Sequence, residues 1–162
     1  MDRVGTPLYS IEAGRLRFSS TAFNDRNGRP SVDRALLRNS NPHCQRRTTD
    51  DGVISLSASS LRSIPPISQK NGPGQTDSKH NVDVTAVPLA LNRAHAEIVS
   101  IPSLTGSAAI GRFKDALARL AEKSGWCVEP GSSLPPWSLR LFRAVQHVFS
   151  SLGRYVFARV VR

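Results

Sequence analysis

One segment of this chain is long enough and periodic enough to form a substantial helix, and everything else must fold around it. Over Ser107–Ser124, the residues Ala109, Phe113, Leu117, Leu120 and Ala121 fall on a single stripe at helical spacing. Asp115 and Arg119 stand at i,i+4, and Gly125 occupies the position where a helix ends in a left-handed residue. The other apolar runs are short and separated by Gly, Pro, Asn and Ser, which is strand-and-turn punctuation. The expectation is an α+β fold: a small mixed β-sheet with one principal helix at 107–124.

The strand candidates follow in order. Leu8, Ile11, Leu16 and Phe18 flank a turn at Glu12–Gly14 and suggest a hairpin, after which Asn24–Pro30 is turn chemistry. Ser31 reads as the cap of a short helix over Val32–Arg38, with Val32, Ala35 and Leu36 on one face. Residues 39–51 are polar loop, and Gly52–Leu56 is a β-branched strand. Ser57 caps one helical turn that Pro65–Pro66 ends. Residues 68–81 have no apolar anchor and are expected to be a mobile loop. Val82–Val87 alternates as a strand. Ala94–Ile101 fits either a strand or a short helix, with strand favoured, and Trp126–Val128 fits a short returning strand.

The chain has 162 residues, within the range of one domain. Its expected organisation is a domain over 5–130, a linker over 131–136 and a basic amphipathic tail over 137–162. On a helix, the tail residues Phe142, Val145, Phe149, Leu152 and Val156 make an apolar stripe, with Arg140, Arg143, His147 and Arg154 opposite. This appended helix is expected to bind a partner groove or an anionic membrane surface, or to remain poorly ordered.

Net charge is +10, and half of the excess lies after Glu129, where Arg140, Arg143, Arg154, Arg159 and Arg162 meet no acid. Such a balance favours an acidic partner: another protein, nucleic acid or an anionic membrane surface. Two cysteines, Cys44 and Cys127, suit a reducing compartment better than a disulfide scaffold. The N-terminus lacks an apolar signal core, and no run reaches the ~20 apolar residues of a membrane span. The expectation is a cytoplasmic protein without an anchor.

The pieces RFSSTAFND, PSVDR, DGVISLSASSLRSI, VDVTAVPLALNRAHAEI and GWCVEP occur in one order between Leu8 and Pro130. Their arrangement resembles a group of short bacterial proteins with an SSxAF…SVD…NxAHAxI…W…P pattern. The resemblance implies a bacterial source and one small domain, and it carries no activity with it. Arg93 stands where that pattern has proline, and the pattern ends near Pro130, which makes the tail an addition.

Among candidate site residues, His95 is the most suggestive. A histidine beside a strand is placed to act as a general base if Asp33, Asp83 or Glu97 orients it. The plainer alternative, and the favoured one, is a histidine bonded to backbone that ties a loop to the sheet, because no nucleophile motif accompanies it. His43, Cys44, His80, His95 and Cys127 are metal-ligand types, but they lack CxxC or HxxxH spacing, so no metal or cofactor is expected. Asp50–Asp51 reads as turn chemistry. Ser19, Ser20 and Thr21 lack a GxSxG elbow, and there is no glycine-rich nucleotide loop.

Arg3, Arg15, Arg17, Arg26, Arg29, Arg34 and Arg38 crowd the first forty residues. Gathered on one face they would contact phosphates, with Phe18 and Phe23 stacking on bases; otherwise they are solvated surface over a phenylalanine core. The leading functional expectation is a non-enzymatic binding or adaptor component of a bacterial multi-protein system. A nucleic-acid-binding protein using the arginines is the alternative, and a small His-dependent hydrolase or transferase comes third.

Overall fold

A computed structural model describes residues 8–25, 28–132 and 155–160, with the side chains of Tyr155 and Val160 left aside. The α+β class holds. The sheet, expected to be small and mixed, has seven strands in the order β5-β6-β7-β3-β9-β4-β8, and every pairing in it is antiparallel. In chain order these are β3 (Ser31–Arg34), β4 (Gly52–Ser57), β5 (Ile67–Gln69), β6 (Ser78–Ala86), β7 (His95–Ile101), β8 (Trp126–Val128) and β9 (Tyr155–Val160). A separate hairpin, β1 (Tyr9–Glu12) and β2 (Arg15–Phe18), is closed by the two-residue turn Ala13–Gly14. Helix α1 spans Ala58–Arg62, capped by the Ser57 hydroxyl on the Ser60 N–H, and α2 spans Ser107–Ser124.

The principal helix forms as its periodicity requires. Ala109, Phe113, Leu117, Ala118 and Ala121 are buried against one face of the sheet. From the sheet they meet Val32, Ile54, Leu56, Val82, Ala96, Ile98, Val156 and Ala158. Burying a side chain such as Phe113 or Leu117 contributes about 1.5–3 kcal/mol, and this shared core is the main adhesive of the fold. Gly125 ends α2 at φ +68, a backbone state that a Cβ disfavours. The start of the helix is held from another strand. Gln69 Oε1 accepts the N–H groups of Thr105 (2.9 Å) and Gly106 (3.0 Å).

The hairpin is secured at the far end of α2. Glu122 accepts the Phe18 N–H at 3.2 Å and pairs with Arg17 at 3.1 Å. The Trp126 ring receives Phe18 and Tyr9 edge-on, with ring centroids 4.8 and 5.1 Å away. Trp126 also lies directly over Gly52, where any Cβ would overlap the indole.

Three expectations change. The helix expected at Val32–Arg38 is a strand followed by a 3-10 turn, Ala35–Arg38. Residues 31–34 lie between β7 and β9, so their backbone groups are satisfied laterally by neighbouring strands. The loop expected at 68–81 is entered by β5 and β6 from both sides, leaving 70–77 as a hairpin connection. The helix expected through the tail gives way at Tyr155–Val160 to strand β9, which fills the gap between β3 and β4. Its alternation explains the choice. Val156 and Ala158 join the α2 face, while Phe157 points to the opposite face with Ala35, Val53 and Val128. The linker residues after Ser132 and tail residues 137–154 lie outside the described residues. Ala94–Ile101, left open between strand and helix, is a strand from His95.

Candidate functional site

Asp33 sits near the middle of the sheet, directly opposite His95 on one side and Phe157 on the other. Its side chain therefore lies on the face away from α2, where two connections close over it. One is the 35–51 segment, with its 3-10 turns at Ala35–Arg38 and Pro42–Gln45. The other is the 87–94 connection between β6 and β7.

Oxygen Oδ2 of Asp33 accepts the Arg38 guanidinium at 2.7 Å and Gln45 Nε2 at 2.8 Å. Oxygen Oδ1 accepts Asn92 Nδ2 at 2.9 Å. Asn92 uses its other end to accept the Ala94 N–H at 3.1 Å. Arg34 then crosses to the same connection, donating through Nη2 to the Arg93 carbonyl at 2.6 Å and through Nε to the Ala94 carbonyl at 3.4 Å. Burial alone would push the Asp33 carboxyl up. The hydrogen bonds from Asn92, Gln45 and Arg38, with the Arg38 charge, more than offset it and hold the group below the usual carboxylate value.

His95 belongs to this cluster without completing a catalytic unit. Its Nδ1 is 4.0 Å from Asp33 Oδ1, beyond hydrogen-bond reach. Among the described residues its ring makes no hydrogen bond to a serine, threonine or cysteine side chain. Asp33 is the one of the three carboxylates named from the sequence that lies beside His95, and it already accepts hydrogen bonds from Arg38, Gln45 and Asn92. Asp83 is engaged elsewhere, by Arg62 at 2.7 Å, and Glu97 lies 3.7 Å from Arg29.

His80 and His43 have structural settings, and His147 lies outside the described residues. His80 is buried, with Nδ1 at 2.7 Å from the Pro102 carbonyl and Nε2 at 2.7 Å from the Ser78 hydroxyl. The carbonyl only accepts, so Nδ1 carries a proton and donates to it. Burial, aided by the Arg46 charge, pushes the His43 ring pKa down. Its buried Nε2 has no partner among the described residues. No group of three or more His, Cys, Asp or Glu side chains is placed to hold a metal among those residues.

The arginines do not converge. Arg15 and Arg17 are on the hairpin, Arg17 paired with Glu122. Arg29 reaches Glu97 and the Ser103 hydroxyl. Arg34 and Arg38 are spent on the Asp33 cluster. Arg3, Arg26, Arg140, Phe142, Arg143, Phe149 and Arg154 lie outside the described residues. Phe18 and Phe23 are buried in the core and unavailable to stack on bases.

A feature that sequence reading missed stands out beside Asp33. Leu36 and Leu37 are 75% and 52% exposed, and Leu89 and Leu91 are 51% and 101% exposed. The first pair rides the turn after β3, and the second rides the connection before β7. Those two segments leave the same end of the sheet, because β3 and β7 are antiparallel and Arg34 N–H bonds the Ala94 carbonyl at 2.9 Å. Asp33 and Arg34 bind both segments, so the four leucines are carried on a braced platform. Leu36, expected to share one helix face with Val32 and Ala35, parts from them: those two are buried and Leu36 is exposed. The Pro-Leu-Ala-Leu-Asn run held the other signal: two leucines in a turn with no periodic partner.

No described helix is long and apolar enough to cross a membrane. No family model, curated protein or solved structure matches this chain.

Proposed function

We propose that this protein is a non-enzymatic binding component, an adaptor within a bacterial multi-protein system in the cytoplasm, and that it engages a partner protein through the Leu36, Leu37, Leu89 and Leu91 tip. The observation that carries the reading is the exposure of four leucines from two turns at one end of the sheet. Single exposed leucines are ordinary, but four on two turns that leave one end of the sheet and share hydrogen bonds to Asp33 favour an interaction site. Covering a leucine side chain fully is worth about 1.5–3 kcal/mol, so this small patch supplies useful affinity without a large interface. The saturated polar groups around Asp33 favour support over catalysis. They pre-shape the two turns, which lowers the ordering cost of binding.

The test is affinity capture from a nuclease-treated bacterial lysate with wild type, the Leu36→Ser/Leu91→Ser double variant and His95→Ala. A single protein held by wild type and His95→Ala, and released by the double variant, is the expected result. Equal capture by the double variant removes the tip as the site. Substrate turnover by purified protein, lost in His95→Ala, replaces the adaptor with an enzyme.

A further inference from the structure

We draw no further inference here: the strongest candidate, the surface patch of Leu36, Leu37, Leu89 and Leu91 on the two turns at one end of the sheet, carries nothing beyond the reading above because nothing in the structure shows what covers it.

Discussion

Asn92 donates its side-chain amide to Asp33 at 2.9 Å across 59 residues of sequence, so two surface turns hang from one buried carboxylate. Arg38 and Gln45 bring the other turn to the same carboxylate. The shape of the leucine tip therefore depends on a residue that is itself buried.

Replacing Asp33 with alanine is expected to cost about 2–3 kcal/mol in urea denaturation, because it strands the Gln45 and Asn92 amides and unpairs Arg38. The partial exposure of Arg38 keeps the figure below that of a fully buried pair. The pH dependence has a definite sign. The folded carboxyl is held below its ordinary value, so its contribution is present above the unfolded pKa, about 4, and is lost as pH falls through the lower folded value. Wild type and Asp33→Asn should therefore differ most near neutrality and converge in acid. A gap that widens below about pH 4 contradicts this assignment.

Phe157 tests β9. It is fully buried against Ala35, Val53 and Val128, on strand residues once expected to form a helix. Phe157→Ala is expected to lower stability by about 3–5 kcal/mol, the range for an aromatic cavity in a packed core. A loss under about 1 kcal/mol would remove β9 from the sheet's interior.

The two thiols should separate chemically. Burial pushes the Cys127 thiol up to about 12, whereas Cys44 is exposed. Near pH 8 a disulfide reagent is expected to titrate one thiol rapidly in the native protein and the second only after denaturation. Rapid reaction of both in the native state contradicts the packing around Cys127.

How far the sequence could be read depended on whether the information was local. The α2 stripe, its terminal glycine, the β1–β2 hairpin and the Ser57 cap all rest on residues within a few positions of one another, and all were legible. Ser31–Arg34 and Tyr155–Val160 were misread because each is apolar at spacings that a short helix also satisfies. Their strand character comes from partners more than fifty residues away. The polar start of β6 was hidden because His80 is buried through hydrogen bonds rather than through hydrophobicity. At the site, the proximity of His95 and Asp33 was foreseeable as one of three pairings. The leucine tip was not, because exposure depends on how the two turns leave the sheet, and no residue-level pattern encodes that.

The position of β9 also bears on how the molecule is made. A strand that enters between β3 and β4 arrives from the ribosome after every other described element, yet occupies an interior lane of the sheet. Without β9, the edges of β3 and β4 that it pairs would have no strand partner. A nascent chain in that state is a template for any extended segment that passes, so its safe folding in a cell is a race between the last strand and an intruder.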